Sequence, residues 1–289
     1  MIYDFLIAPF AEFEFMRRAL VGAAAIALGG GPMGVFLMLR RMSLTGDAMS
    51  HAILPGAAVG YLVAGLSLPA MTLGGLAAGV VVAMLAGLVS RVTALKEDAS
   101  LAAFYLLSLA LGVTIVSLKG SNVDLLHVLF GTVLALDDAA LLLLAAIATI
   151  TLAALALLYR PLVLECVDPV FLRSVSRAGT PTHLIFLGLV VLNLVGGFQA
   201  LGTLLAVGLM MLPAAAARFW SADITLMTLI ATAIGIASGA SGLLLSFHAE
   251  LPAGPAIVLT AGAAYLASLA LGREGGLVWL AWPGRHLEA

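Results

Sequence analysis

The 289-residue chain is 63% hydrophobic and only 10% charged, and its mean hydropathy is +1.18. Soluble domains carry about 45–50% apolar and about 25% charged residues, so this composition excludes an ordinary water-soluble fold and indicates that lipid surrounds most of the chain. The net charge of −2 offers no basic surface for nucleic acid, and the single cysteine, Cys166, excludes an intrachain disulfide framework and a cysteine-based zinc site.

The amino-terminal stretch, residues 1–16, mixes apolar side chains with Asp4, Glu12, Glu14 and Pro9. A signal peptide needs a basic amino end and a small-residue cleavage pattern, and this stretch has neither. We therefore predict that residues 1–16 form a periplasmic, interfacial segment rather than a signal peptide or a membrane span.

Long uncharged runs predict the membrane spans, because a helix needs roughly 20 apolar residues to cross the hydrocarbon core. The sequence predicts an all-α, polytopic integral membrane protein with about eight or nine transmembrane helices. The run at 202–217 is short and predicts a half-helix or part of a broken helix. The candidate spans are 19–39, 48–66, 69–90, 99–118, 139–159, 182–200, 202–217, 224–247 and 253–272.

The distribution of Lys and Arg predicts the orientation in the membrane, because these residues concentrate on the cytoplasmic side. With the amino terminus outside and nine crossings, 10 of the 13 basic residues face the cytoplasm and only Arg17, Arg18 and Lys119 remain outside. We therefore predict an external amino terminus and a cytoplasmic carboxyl terminus. The ten cytoplasmic residues are Arg40, Arg41, Arg91, Lys96, Arg160, Arg173, Arg177, Arg218, Arg273 and Arg285.

The run Gly29-Gly30-Gly31-Pro32 lies inside the first candidate span. Glycine is common where membrane helices pack closely, but three glycines followed by proline should weaken a helix in mid-membrane. Gly30, Gly31 and Pro32 are therefore candidate hinge residues.

Asp47 and His51 stand out because the other acids and histidines fall in loops or at span ends, whereas these two open the second span. Their i, i+4 spacing places both side chains on one helix face. Carboxylate oxygen and imidazole nitrogen suit zinc, manganese or iron(II). One helix supplies too few ligands for such an ion, and a symmetric dimer would double the number. The alternative is structural: Asp47 caps the helix and His51 bonds the backbone or Ser50.

Residues 160–181 form the longest polar stretch and predict a short cytoplasmic helix. Asp168 and Pro169 suit its start, and Gly179 suits its end. The helix would expose apolar side chains that fit a groove on a partner protein. The alternative is an interfacial helix on lipid headgroups, which Arg160, Arg173 and Arg177 would also support, but the cytoplasmic location that the basic residues predict favours the partner. The apolar positions are Phe171, Leu172 and Val175.

Two further patterns bear on enzymatic activity. The chain contains no G-x-x-x-x-G-K-[ST] sequence, so it cannot hydrolyse ATP with a P-loop of its own. The string Gly239-Ala240-Ser241-Gly242 is similar to intramembrane serine proteases of the rhomboid type, but such a protease needs a base at the same depth, and His248 lies near the end of its span. Small-residue packing explains the string better.

Four stretches together resemble one family. The sequence RRMSLTGDAMSHAILPG, then VDPVFLRSVSRAG, LGTLLAVGLMMLPAAAARF and LPAGPAIVL, is similar in content and order to the zinc/manganese/iron-type (ABC-3 family) permeases of ABC importers. The resemblance extends over most of the chain. It implies a single ABC transporter transmembrane domain over 1–289, with a shortened version of the permease fold of vitamin B12 and siderophore importers and about eight spans.

The same resemblance implies partners and site roles. It implies a second permease subunit, two cytoplasmic ATP-binding subunits and an extracytoplasmic metal-binding protein, all at a bacterial inner membrane. It implies cation coordination for Asp47 and His51, and a coupling helix seated in the ATPase for the segment around Asp168 and Gly179.

The predicted function is therefore that of a permease subunit, not an enzyme. The chain would hold no permanent cofactor and would transport Zn²⁺ or Mn²⁺, with Fe²⁺ as a further candidate. A proton-coupled secondary metal transporter remains an alternative, and an intramembrane serine protease is a more distant one.

Overall fold

Helices account for nearly all of the computed structural model, which describes residues 2–65, 67–93, 95, 97–118, 133–168, 171, 172, 174, 176 and 179–278. These residues contain no β-strand, as expected where lipid forces the backbone to satisfy its own hydrogen bonds. Lys96, Lys119 and Arg285, which entered the orientation count, lie outside them. The α-helices are α1 (Ile2–Leu6), α2 (Ala8–Glu12), α3 (Glu14–Leu39), α4 (Ser43–Ala52), α5 (Leu54–Ala64), α6 (Leu68–Val92), α7 (Glu97–Leu118), α8 (Asp138–Val167), α9 (Gly179–Leu201), α10 (Thr203–Ala217), α11 (Ile224–Ala249) and α12 (Ala253–Leu271).

Seven of these helices are long and apolar enough to cross a membrane, namely α3, α6, α7, α8, α9, α11 and α12. The expected count of eight or nine spans is therefore slightly off. The predicted second span, 48–66, consists of two shorter helices, α4 and α5, which are separated at Ile53. The predicted seventh span is α10, whose 15 residues rise only about 22 Å.

Two helices form the centre of the bundle. The most apolar windows of α3 and α9 are 72% and 67% buried, whereas those of the other five spanning helices are 22–33% buried. One core cluster joins the second half of α3 to α4, α6 and α9, and another joins the first half of α3 to α10, α11 and α12. The helix α4 therefore packs directly against the most buried part of the bundle.

The helix ends follow local chemistry more closely than hydropathy. Asp137 caps α8 by accepting a hydrogen bond from the Ala140 N–H (2.8 Å), and Asp223 caps α11 in the same way from Leu226 (2.8 Å). Helix α8 also continues eight residues beyond the predicted end of its span, through Pro161 to Val167. The fully buried side chain of Leu162 packs in the core and supports this extension.

Contacts between helix ends define the two faces of the bundle. The Arg18 guanidinium at the start of α3 pairs with Glu14 (2.8 Å) and with Asp138 (3.0 Å) at the start of α8. Arg40, after the last residue of α3, pairs with Glu165 (3.0 Å) near the end of α8. The two faces are called below the Arg18 face and the Arg40 face.

Candidate cation site on helix α4

A tight turn sets the position of α4. Arg40 is the carboxyl-terminal cap of α3, and Arg41 adopts a left-handed conformation (φ 59°). The Met42 N–H bonds the Leu37 carbonyl (2.9 Å) and the Arg41 N–H bonds the Met38 carbonyl (3.0 Å). This double closure is a Schellman motif, with the buried side chains of Met42 and Leu37 in one core cluster. Helix α4 thus begins three residues after Arg40 in a fixed direction.

One face of α4 is buried and the other faces outward. Thr45, Met49 and Ala52 are buried, and Met49 belongs to the core. The side chain of Asp47 is 66% exposed and that of His51 is 32% exposed. The two candidate ligands therefore lie together on the open face, as their i, i+4 spacing predicts.

The distance between the two side chains fits a shared ion. His51 Nε2 lies 3.9 Å from Asp47 Oδ1. With metal–ligand bonds of about 2.1 Å, two atoms on one ion are separated by at most about 4.2 Å, and by about 3.4 Å at a tetrahedral angle. The Nδ1 atom of His51 is buried and has no hydrogen-bond partner within the described part of the chain, so no bond to that nitrogen opposes the small rotation that would close the difference.

The structural alternative for these residues finds little support. Asp47 lies inside α4 rather than at its amino-terminal cap, which is Met42. The neighbouring hydroxyl of Ser50 donates to the Asp47 carbonyl (2.7 Å), not to the imidazole. The carboxylate and the imidazole therefore have no capping role in this structure.

Asp47 and His51 line a groove of about 350 Å³. Its opposite wall is formed by α10 and by one residue of α12, so the two candidate ligands face a largely apolar surface. The lining residues are Asp47, Ser50, His51, Thr203, Leu204, Val207, Gly208 and Val258.

The carboxyl end of α4 is held by a hydroxyl from α7. Pro55 lacks an N–H, so the chain cannot continue regular helical bonding across this point. The buried Ser108 hydroxyl donates to the carbonyl of Ala52, the last residue of α4 (2.8 Å). A side chain from a neighbouring helix thus satisfies the interrupted backbone one residue after His51.

Among the described residues, no group of three or more His, Cys, Asp or Glu side chains could hold a metal ion. The described residues therefore offer two candidate ligands at this groove, and a transition metal needs about four. A complete site here would need groups from beyond the described residues.

The glycine–proline run does not interrupt its helix. Helix α3 is continuous through Pro32, and Gly30 and Gly31 lie against Met210 of α10 and Thr232 of α11. Close packing accounts for the glycines in this conformation. A hinge at Gly30, Gly31 and Pro32 stays a prediction.

The predicted coupling segment is shorter than expected. Because α8 extends to Val167 and α9 begins at Gly179, the connection covers residues 168–178 rather than 160–181. Asp168 caps the turn as predicted: its Oδ1 accepts from the Phe171 N–H (2.8 Å). The predicted helix end at Gly179 is wrong, because Gly179 opens α9.

The exposure of the segment also differs from the prediction. Phe171 is 51% exposed, but Leu172 is buried within the chain, at 4% exposure, so only Phe171 of this pair offers an apolar surface to a partner. Pro169, Arg173 and Val175 lie outside the described residues, as does Arg177.

A cluster that the sequence analysis missed lies at the ends of this segment. Arg40 Nη2 donates to Glu165 Oε1 (3.0 Å) and contacts His183 Nδ1, and the guanidinium carbon lies 4.9 Å from the centroid of the Phe186 ring. The side chains of Arg40, Glu165 and His183 are only 9–11% exposed. Glu165 lies 125 residues after Arg40 in the sequence and His183 lies 143 residues after it. No local spacing could therefore reveal the cluster.

The protease-like string has no catalytic geometry. The Ser241 hydroxyl bonds the Ala237 carbonyl of its own helix (2.8 Å). His248 is stacked on Phe5, and its Nε2 lies 3.0 Å from the Phe5 carbonyl. Seven residues of helix, about 10 Å of rise, separate this histidine from Ser241.

Comparison with known proteins agrees with this architecture. The model of the ABC 3 transport family matches residues 12–272. The manganese import system permease protein ScaB of Streptococcus parasanguinis is 32% identical over 93% of this chain and 94% of its own length. A probable iron transport system membrane protein of Haemophilus influenzae is 29% identical, over 93% of this chain and 97% of its own.

Two solved structures share the fold. PsaBC from Streptococcus pneumoniae, in complex with Fab, matches with a TM-score of 0.84 and 27% identity over 98% of this chain and all of that one. A putative metal-chelate type ABC transporter in an inward-facing conformation matches with a TM-score of 0.65 and 16% identity, over 88% of this chain and 85% of that one, which shows the fold alone. The chain therefore belongs to the ABC 3 transport family, and it is a membrane permease of an ABC importer rather than an enzyme.

Proposed function

We propose that this permease imports Mn²⁺ and that Asp47 and His51 of two permease subunits form a transient cation station. The observation that carries the proposal is the pair itself: a carboxylate and an imidazole on the open face of α4, 3.9 Å apart, lining a groove. Intramembrane ionisable groups are costly. Within the described part of the chain the pair caps no helix end, and the His51 ring only lies beside that of Tyr105, with 6.2 Å between centroids.

The ligand types and the relatives together favour manganese. Carboxylate and imidazole suit manganese, zinc and iron(II), and no thiolate lines the groove to favour a softer ion. ScaB, and the manganese transport system membrane protein MntC of Halalkalibacterium halodurans, which is 29% identical over 96% of this chain and 94% of its own length, carry manganese in their names. Because the same ligand types also suit Zn²⁺ and Fe²⁺, these two ions are used as competitors in the uptake test below.

A second permease subunit would complete the coordination. Two copies would supply two carboxylates and two imidazoles, the number that one chain lacks. The groove supports this arrangement, because Asp47 is two-thirds exposed within an apolar wall that a partner could cover. The second copy can be identical or a related chain.

The remaining subunits would act at opposite faces. The Arg40 face carries Arg40, Arg41 and Arg160, which indicates the cytoplasm, and the external amino terminus follows. Two ATP-binding subunits would dock there on residues 168–178 through exposed Phe171, and an extracytoplasmic metal-binding protein would deliver the ion to the Arg18 face. The amino-terminal residues 1–16 would lie at that outer interface.

The test is ATP-dependent ⁵⁴Mn uptake by vesicles that contain the assembled complex, with wild type compared to Asp47→Ala and His51→Ala. Each variant removes half of the ligands that the chain provides, so we expect uptake to fall at least about tenfold. Asp98→Ala, at an exposed acid in the first turn of α7, serves as the matched control and should transport normally.

Competing unlabelled Zn²⁺ or Fe²⁺ at equal concentration identifies the preferred ion. Uptake that both ligand variants retain would refute the station. Uptake that needs a proton gradient but no ATP would instead support a secondary transporter, which family membership does not favour.

A further inference from the structure

We propose that Arg40, Glu165 and His183 form a clamp that connects the coupling segment to the cation-bearing helix; the inference rests on the proposed function. Glu165 lies three residues before the segment 168–178, and His183 lies in the first turns of α9 directly after it. Arg40 lies three residues before α4. One buried cluster thus joins both ends of the segment to the start of the helix that carries Asp47 and His51.

The charges of the cluster are fixed by its contacts. An arginine can only donate, so His183 Nδ1 accepts from Arg40 Nη2 and carries no proton at that atom. Glu165 Oε1 also lies 3.8 Å from His183 Nδ1. The Arg40 guanidinium is therefore shared between the Glu165 carboxylate and the His183 ring.

Stability alone does not explain this cluster. Buried ion pairs are often no more stable than well-packed apolar side chains of the same volume. The Arg40 guanidinium also lies over the Phe186 ring. An apolar side chain in place of Arg40 could therefore pack against the same ring. A charged cluster at this location is better suited to holding defined geometries than to adding stability.

The cluster is incompletely paired in this conformation. Arg40 Nη1 and Glu165 Oε2 are both buried and have no hydrogen-bond partner among the described residues, while Nη2 and Oε1 make the single bond. Arginine and carboxylate pair most strongly through two parallel bonds. A small displacement of the end of α8 relative to α3 would bring Nη1 and Oε2 together, so the clamp has a second, bidentate arrangement within reach.

The turn after Arg40 transmits such a displacement. The Schellman motif closes residues 37–42 with two backbone bonds and a buried Met42, which leaves little freedom between Arg40 and α4. A movement of the segment 168–178, transferred through Glu165 and Arg40, would therefore move α4 and the Asp47–His51 pair. Interfaces of this kind switch between discrete packings rather than deforming gradually.

The test measures Mn²⁺ uptake and ATP hydrolysis together in the reconstituted complex, for wild type and Glu165→Gln. We expect normal amounts of assembled complex, ATP hydrolysis within about twofold of wild type, and at least fivefold less Mn²⁺ transported per ATP. The KM for Mn²⁺ should change by less than about twofold, because the ligands remain. Asp98→Asn, which neutralises the exposed acid that serves as the control above, is the matched control and should keep the wild-type ratio.

A second variant separates clamping from folding. Arg40→Met combined with Glu165→Leu fills the same volume without charge and is expected to assemble normally, yet to lose coupling as Glu165→Gln does. Wild-type ions per ATP in this double variant would overturn the clamp and leave the proposed function intact. A wild-type complex without ATP-dependent Mn²⁺ uptake would overturn the proposed function, and the clamp with it.

Discussion

Two proline-containing stretches of this permease behave in opposite ways. Pro32 lies inside α3, which continues without interruption, whereas Pro55 follows the point at which α4 and α5 separate. Each proline lacks the N–H that would bond the carbonyl four residues earlier, so the same local defect lies in a continuous helix at one site and next to a break at the other.

The surroundings of the two prolines explain the difference. Around Pro32, α3 packs so closely on α10 that the Met210 backbone carbonyl lies against Gly34. At the α4–α5 junction, a hydroxyl from α7 stabilises the interruption instead. Dense packing thus preserves a helix that contains proline, and a neighbouring hydrogen-bond donor preserves a break. The break ends α4 one residue after His51.

The largest effect is expected from Gly34→Ala, which attacks the packing that keeps α3 continuous. A Cβ at this position would overlap the Met210 carbonyl of α10, and backbone cannot move aside as a flexible side chain does. We expect a loss of about 3 kcal/mol or more, because overpacking at a backbone contact exceeds the usual range. The measurement is the amount of monodisperse protein and its thermal unfolding midpoint in detergent.

Gly188→Ala, inside α9, is the control for Gly34→Ala, since a Cβ there meets nothing within 4 Å. It should be neutral or slightly stabilising. Equal thermal midpoints for the two alanine variants would contradict the idea that close approach of α10 keeps α3 continuous.

A smaller effect is expected from Ser108→Ala, which removes the donor to the Ala52 carbonyl. Interhelical hydrogen bonds in membranes contribute about 0.6 kcal/mol on average and rarely more than about 1.7. We expect a loss of about 1 kcal/mol in stability. Because the end of α4 then becomes less ordered, the KM for Mn²⁺ should rise several-fold.

Two other hydroxyl variants serve as controls for Ser108→Ala. Ser108→Thr keeps the hydroxyl donor and should therefore keep the wild-type KM for Mn²⁺. Ser241→Ala removes a hydroxyl that bonds only within its own helix, so it should change neither stability nor transport. A KM that stays at the wild-type value in Ser108→Ala would show that the junction does not position His51.

The sequence predicted the membrane spans well, because a lipid solvent requires long apolar helices and hydropathy reports them directly. It also placed Asp47 and His51 on one helix face, since an i, i+4 relation is local. The interruption at Ile53 was not predicted, because it depends on Ser108 of another helix. The long proline-containing end of α8 was missed for the same reason: Leu162 gains its stability from the core.

In the candidate site, too, local spacing was predicted correctly, whereas contacts between distant parts of the chain were not. The shared face of Asp47 and His51 follows from their spacing, but the groove beside them is formed only together with α10 and α12. The Arg40 cluster was assigned to separate span ends, because nothing in the sequence relates Arg40 to Glu165 or His183. Leu172 was expected at the surface, and only its tertiary environment buries it.

The smallest effect concerns the turn between the two proline-containing stretches. Arg41 has φ 59°, where an L side chain costs about 1–2 kcal/mol and glycine costs almost nothing. Arg41→Gly should therefore be neutral or stabilising by about 0.5 kcal/mol after the greater entropy of glycine in the unfolded chain is counted. Arg41→Val removes the same charge but places a β-branched side chain at positive φ, so it should be destabilising by about 1 kcal/mol. Thermal midpoints of the two variants in one detergent isolate the backbone effect, and a glycine variant less stable than the valine variant would mean that the Schellman turn does not determine where α4 begins.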